Sequence, residues 1–316
     1  MNDQPPAMND QLLELRSLAS KAENRRTETG IPRVAMVQGE IPEHMLAAVY
    51  DPMINLILQG SKTMTVGDRT LRYDPATYFV MSIELPAVGT VHPAASGEPY
   101  LALSLTLDPA VLSTLLTDLP SPAWHSENEN ENENDNSAGF SVAATTPTLM
   151  DAWLRMLRLM NNPEEIAALA PVYEREILYR VLQGPHGWML REIAAPDTAM
   201  ARVSQAIQWI RRDFAEPIRV ETLAQKAAMS VSAFHRHFKA VTTLSPLQYQ
   251  KRVRLLQARM LMVASAKSVT GAAFEVGYES ATQFSRDYAR VFGLPPSRDT
   301  ARILGETKGS GVTLEK

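Results

Sequence analysis

Leu223-Ala-Gln-Lys-Ala-Ala-Met-Ser-Val-Ser-Ala-Phe-His-Arg-His-Phe-Lys239 and Val269-Thr-Gly-Ala-Ala-Phe-Glu-Val-Gly-Tyr-Glu-Ser-Ala-Thr-Gln-Phe-Ser-Arg-Asp-Tyr-Ala-Arg-Val-Phe292 carry one pattern twice. Each runs from a short helix of small residues through a tight break into a second helix. Phe234, Phe238 and Val241 fall at i, i+4 and i+7 of the first copy, and Phe284, Tyr288 and Val291 repeat that spacing in the second. Such spacing turns one stripe inward and leaves the cations outside. This is the pattern of a helix-turn-helix, whose second helix fits the DNA major groove. Gly277 suits the break in the second copy, because a tight turn needs positive φ and glycine adopts it without steric cost.

Between the copies, Ser245-Pro-Leu-Gln248 reads as a capping box with proline at the first helical position. It predicts a helix from Pro246 to about Ala264, with Lys251, Arg252, Arg254 and Arg259 as its charges. At ~1.5 Å per residue that helix spans on the order of 28 Å. A rigid rod of this length holds two recognition helices about one DNA turn apart, ~34 Å, which a flexible linker does not.

On the first recognition helix, Ser232, His235, Arg236 and Lys239 are left on the surface. Arg236 suits the O6 and N7 of guanine, His235 and Ser232 suit weaker base contacts, and Lys239 suits phosphate. The alternative for His235 is a surface histidine without a partner. On the second, Ala281, Thr282, Gln283, Ser285 and Arg286 occupy the early exposed turns. Arg286 suits guanine, while Ser285 and Arg290 suit phosphate. Gln283 suits adenine, but Ser280-Ala-Thr-Gln283 is also a capping box that would hold that side chain at the helix start; both readings stand.

The charge distribution agrees with a polyanion-binding C-terminal third. Residues 200–304 carry 16 Lys+Arg against 7 Asp+Glu, whereas residues 1–199 carry 13 against 26, so the overall charge of −4 hides a segregation. A solvated basic helical surface is the bland alternative. The length of 316 residues favours two domains. The chain has no cysteine, which excludes disulfides and thiolate metal sites. No apolar run is long enough to span a bilayer, and the first residues lack the plan of a signal peptide, so no membrane association is expected and the cytoplasm is.

Residues 1–30 read as a flexible or helical leader, with an amphipathic stretch from Gln11 to Ala22. Residues 31–193 form the other domain. Val34–Val37, Asn55–Leu58, Lys62–Val66, Arg69–Tyr73, Tyr78–Ile83 and Tyr100–Leu107 are short β-rich runs, with Gly67-Asp68 as a hairpin turn. Several such strands suggest a small barrel or sandwich. Asp108–Leu119 reads as a capped helix. Glu127-Asn-Glu-Asn-Glu-Asn-Glu-Asn134 marks a low-complexity insertion over 126–138, which cannot bury apolar area and is expected to be disordered. Thr148–Met160 and Glu164–Leu182 form a helical pair, with Leu149, Trp153, Met156, Leu157 and Met160 on one face as either core or a dimer interface. Residues 194–199 read as a linker and 305–316 as a tail.

Leu223-Ala, Met229-Ser-Val-Ser, Phe234-His-Arg-His-Phe-Lys, Ser245-Pro-Leu-Gln-Tyr, Ala273-Phe-Glu-Val-Gly-Tyr-Glu-Ser, Gln283-Phe-Ser-Arg and Phe292-Gly-Leu-Pro-Pro296 together resemble the AraC/XylS family of bacterial transcription regulators over 200–304. Pro52-Met-Ile-Asn-Leu-Ile-Leu-Gln-Gly60, Glu174-Arg-Glu-Ile-Leu-Tyr-Arg180 and Gly184-Pro-His-Gly187 resemble a subgroup whose N-terminal module is cupin-like and senses an effector or dimerises. The resemblance implies an α+β chain: an N-terminal cupin-like small β-barrel with flanking helices, then an all-α domain with two helix-turn-helix motifs joined by a long helix. It places Ser232, His235 and Arg236, and Ala281, Thr282, Gln283 and Arg286, at base-reading positions. Two departures stand out: Ala228 where the family often has glycine, and Ser297-Arg298-Asp299 where it usually has a tyrosine-arginine pair.

The function expected is a sequence-specific, effector-responsive transcription regulator and not an enzyme. Its partners would be double-stranded operator DNA, RNA polymerase if it activates, an unknown small organic effector and a second copy bound through the N-terminal domain and its helices. Tyr78, Glu84, His92 and Tyr100 are the candidate lining of an effector pocket, since such sites join aromatic walls to a few polar groups. Glu84 and His92 are too few ligands for a metal, His44 is isolated, and no cofactor is expected. The rival readings are a cupin-type metal enzyme with a helical appendage and a non-specific DNA-architectural protein.

Overall fold

The structure, a computed structural model, describes residues 8–23, 25–39, 46–75, 77–119 and 138–309, without the side chains of residues 25 and 306–309. The acidic Glu/Asn run with nearly all of the 126–138 insertion, His44, the first seven leader residues and tail residues 310–316 lie outside the described residues.

The N-terminal half is built on two antiparallel sheets. One comprises β1 (Arg25–Glu28), β2 (Val34–Gln38), β4 (Met53–Gln59), β7 (Thr77–Met81), β9 (Leu101–Thr106) and β10 (Phe140–Ala144), in the order β1-β2-β9-β4-β7-β10. The other comprises β3 (Ala47–Tyr50), β5 (Ser61–Val66), β6 (Arg69–Tyr73) and β8 (Leu85–His92), in the order β3-β8-β5-β6. Strands β4 and β9 are central and buried on both faces, which is why Ile54, Leu56, Ile57 and Leu58 form an unbroken apolar run rather than an alternation. The β5–β6 hairpin closes between Val66 and Arg69 through Gly67 at φ +61°, as the Gly67-Asp68 signal predicts.

Strands β1, β3, β8 and β10 were not legible as strands. In β8, Pro86 and Gly89 read as breaks. Pro86 is tolerated because it pairs only with Val49 of β3, while the pairing with β5 begins one residue later at Ala87.

Helices cover the six-stranded sheet. They are α1 (Met8–Ala19), α2 (Pro109–Asp118), α3 (Pro147–Arg158), α4 (Ile166–Leu182) and α5 (Gly187–Ala194). Asp108 caps α2, its carboxylate accepting from the Ala110 N–H at 2.8 Å. Leu149, Trp153, Met156 and Leu157 of α3 are fully buried within this one chain, so that stripe is core and not a dimer interface.

Seven helices complete the chain: α6 (Ala199–Arg212), α7 (Val220–Lys226), α8 (Val231–Thr242), α9 (Pro246–Ala264), α10 (Val269–Glu275), α11 (Ala281–Phe292) and α12 (Pro296–Gly309). Residues 195–198 connect α5 to α6, and the Thr198 hydroxyl caps α6 by accepting from the Ala201 N–H. The two halves are not beads on a string. One apolar core runs from Leu15 through both sheets into Met200, Phe234, Leu244 and Tyr249, while Leu255, Ala258, Phe284 and Tyr288 belong to a second, smaller core. Among the described residues no helix is long and apolar enough to cross a membrane.

Candidate nucleic-acid interface

Helices α7 and α8 form the first helix-turn-helix, and α10 and α11 the second. Phe234 and Phe238 are completely buried, 5.5 Å apart, and Phe238 meets Tyr249 of α9 edge-on at 5.7 Å. Phe284 and Tyr288 repeat this at 5.5 Å, with Tyr278 edge-on to Phe284 at 5.3 Å. Burying each phenyl ring stabilises by about 2–3 kcal/mol and leaves the opposite face of each recognition helix in solvent.

That face holds the residues singled out for base contact. Ser232, His235, Arg236 and Lys239 are exposed on α8, as are Thr282, Gln283, Arg286 and Arg290 on α11, with Ala281 and Ser285 half-buried. Both helices begin on a serine. Ser230 accepts from the Ala233 N–H at 3.2 Å, and Ser280 accepts from the Gln283 N–H at 3.3 Å. Around α9 the full capping box is present, with the Ser245 N–H donating to Gln248 Oε1 at 2.9 Å. At Ser280 only the serine half of the box is present, so the Gln283 amide is not tied down as a cap. Ser285 donates to the Ala281 carbonyl at 2.8 Å, which occupies its proton and leaves oxygen lone pairs, a poor match to a phosphate. Arg290 lies 3.9 Å from Asp287.

The rod between the units is also a clamp. Arg254 donates from Nε to the Phe214 carbonyl (2.7 Å), from Nη1 to that of Gly277 (2.9 Å), and from Nη2 to those of Ala215 and Glu216 (2.9 and 3.1 Å). Gln250 adds bonds to Phe214 and Glu216. One guanidinium therefore joins the end of α6 to the turn of the second unit, and burial lowers its pKa. Arg259 is also turned inward: it pairs with Asp299 of α12 through two bonds of 2.9 and 3.1 Å, and Tyr288 donates to the same carboxylate at 2.8 Å. The sequence reading took both arginines as surface charge. Their signal was weak: Arg254 and Arg259 fall on the apolar side of α9, and Asp299 stands where tyrosine is usual.

The turns differ as the two glycine positions suggest. Gly277 has φ +83°, and a Cβ there would lie 1.9 Å from the Ala215 carbonyl oxygen. Ala228 adopts φ +50° with a side chain in place, a conformation costing ~1–2 kcal/mol.

The four candidate effector-pocket residues do not converge. Tyr100 is buried beside Tyr50 and Tyr73 in the interior of the β-domain. Tyr78 alternates with inward-facing Phe79 and points to the helical layer, its hydroxyl near Gly184 and its pKa pushed up to about 12 by burial. Glu84 lies at the seam between the halves, with Arg211 at 2.6 Å, and its carbonyl accepts from the Tyr249 hydroxyl at 2.9 Å. His92 sits on the other face of β8 from Val91, with Nε2 3.0 Å from Thr63 Oγ1. Strand alternation separates them: one residue of offset moves a side chain to the opposite face. Among the described residues no three His, Cys, Asp or Glu side chains are grouped to hold a metal.

Two family profiles match the chain. One, described as the AraC-type transcriptional regulator N-terminus, matches residues 30–189, and the other, a helix-turn-helix domain, matches residues 223–302. The HTH-type transcriptional activator RhaS of Escherichia fergusonii is 34% identical over 145 residues, which cover 44% of this chain and 51% of that protein. The chain thus spans about half the length of the curated relatives it matches. Apo ToxT from Vibrio cholerae superimposes with a TM-score of 0.54 at 9% identity, covering 88% of this chain and 98% of that one. Wild-type ToxT from the same organism, with an unsaturated fatty acid bound, gives 0.52 at 10% identity, covering 85% and 93%. At such identities the likeness is one of fold. The N-terminal profile alone covers half of the chain and the helix-turn-helix profile most of the rest, so this chain belongs to the AraC-type transcriptional regulators, a family of regulators and not of enzymes.

Proposed function

We propose that this chain is a sequence-specific, effector-responsive DNA-binding transcription regulator that sets α8 and α11 into successive major grooves. The observation that carries this reading is the pair of recognition helices, each with a buried aromatic stripe and an exposed arginine two residues after the first aromatic, joined by a single 19-residue helix. Arg236 and Arg286 anchor the two half-sites on guanine. Ser232, His235, Ala281, Thr282 and Gln283 modulate base choice, and Lys239, Ser285 and Arg290 serve phosphate.

The seam between the halves supplies the route for a response. Gly139 donates to the Val241 carbonyl at 2.9 Å, Thr243 donates to that of Val66 at 3.1 Å, and Arg211 bridges Asp51 and Glu84. A small organic effector bound by the β-domain shifts the equilibrium between arrangements of the halves, or of two copies, and so changes DNA affinity. ToxT, of like fold, has been crystallised with a fatty acid, which supports a ligand-responsive β-domain. The protein acts in the cytoplasm, with RNA polymerase as the further partner if it activates.

Genome-wide footprinting should reveal discrete protected sites. Arg236→Ala and Arg286→Ala should each lose ~1–3 kcal/mol at one base pair of the selected site, whereas Lys239→Ala should weaken all sequences alike and flatten the salt slope. Equal weakening on all sequences by both arginine variants would favour a non-specific architectural protein.

A further inference from the structure

The interior of the β-domain holds a cation without a counter-ion. Lys62 of β5 is 6% exposed, and among the described residues its one contact is the face of the Tyr50 ring, 5.2 Å from Nζ. Alternation along β5 sets Lys62 on the inner face with Met64 and Val66, directly opposite Tyr73 of β6. Tyr73 donates to Asn55 Oδ1 at 2.9 Å and stacks on Phe79 at 5.2 Å. Tyr100 lies close enough to Tyr50 and Tyr73 to interact with both. Ser104, paired with Asn55 across the sheet, has a buried hydroxyl without a partner.

Gly89 shows that the interior is shaped around this lysine. A Cβ there would stand 3.0 Å from Lys62 Cε, 3.2 Å from the Tyr50 hydroxyl and 3.3 Å from Leu46 Cβ. Its φ is not left-handed, so the glycine supplies room and not a turn.

A buried ammonium is costly unless it is paired, and a Met or Leu would fill the same volume without that cost. The groups facing it are Tyr50, Tyr73 and Tyr100, whose pKa values burial pushes up; they stay neutral and supply no negative charge. We propose that Lys62 anchors an effector site inside the β-domain, and that the effector is a small organic acid whose carboxylate pairs with the Lys62 ammonium. The Tyr100 and Ser104 hydroxyls are placed to hydrogen-bond such a ligand, and Met64 and Phe79 give its apolar part a wall. This inference rests on the effector-responsive reading above.

The test uses the full chain and a fixed panel: benzoate, salicylate, hexanoate and octanoate, each beside its uncharged primary amide. Thermal unfolding should show at least one acid raising Tm by several degrees where its amide does not. Calorimetry on Lys62→Met should show that acid bound on the order of 30-fold more weakly or worse, and Tyr100→Phe should weaken it less. Burial lowers the Lys62 pKa to about 8, so the cation persists below that pH and is lost above it. The wild-type response should therefore weaken about 30-fold between pH 7 and 9.5. No acid-specific shift across the panel, equal shifts by acid and amide, retention of the response in Lys62→Met, or no loss at pH 9.5 each overturn the proposal. Footprinting of Lys62→Met runs alongside. Discrete protection by this variant separates a failed ligand assignment from a failed regulator assignment.

Discussion

The two helix-turn-helix units carry the same aromatic stripe but are held in place by different means. The first is continuous with the core of the β-domain: Phe234, Phe238, Val241 and Leu244 pack in one cluster with the sheets, and the turn after α8 bonds to Val66 and Gly139. The second has its own small core and a buried polar brace, Arg259–Asp299–Tyr288, that ties α9, α11 and α12 together. The Arg259 guanidinium also lies over the Phe292 ring at 4.4 Å. Two copies of one local motif can thus be fixed by apolar docking on a neighbour or by a charge network within the unit. A change in the β-domain reaches α8 directly, and reaches α11 only through α9 and the Arg254 clamp.

The largest expected effect is on the brace. Asp299→Ala leaves the Arg259 charge buried and unpaired, which should cost ~3–5 kcal/mol, while the double substitution Arg259→Met with Asp299→Leu should be near neutral. Hydrogen exchange would show the damage in α11 and α12 with α8 still protected; equal loss in both units would break the comparison. Next is Gly277→Ala. Its Cβ collides with the Ala215 carbonyl in a left-handed backbone, and about 3 kcal/mol should be lost in denaturant unfolding. The smallest effect has the opposite sign. Ala228→Gly relaxes a left-handed alanine and should gain up to about 1 kcal/mol, visible as a modest rise in Tm. A loss there would mean that the first turn needs its methyl group for packing more than it suffers from its backbone.

Much of this was legible before any coordinates, for reasons that differ by region. Helix α9 runs from Pro246 to Ala264 as the capping box and the length of the pattern predict. The stripe and the exposed arginines of α8 and α11 follow from a period of 3.6, which one sequence displays in full. The β-domain was read less completely. Six strands were recognised from their β-rich runs, but β8 was hidden by Pro86 and Gly89, whose tolerance depends on where β5 stops and on a lysine two strands' register away. The effector-pocket set failed for a related reason: Tyr78, Glu84, His92 and Tyr100 are the residue types a pocket needs, but their faces depend on register and sheet closure.

The chain's sequence by itself determined its local elements and their chemistry: two helix-turn-helix units, a rigid connecting helix, a basic C-terminal third and surface arginines at matching positions. These rest on contacts within a few turns of helix, or on composition, and so are written in contiguous text. Only the tertiary structure decided which buried charges are paired. It turned Arg254 and Arg259 inward, gave Asp299 a partner 40 residues away, assigned the Trp153 stripe to the core, merged the first unit with the β-domain and left Lys62 inside without a counter-ion. Such pairings join residues far apart in the chain, and their energies depend on desolvation that exists only once the surfaces have met.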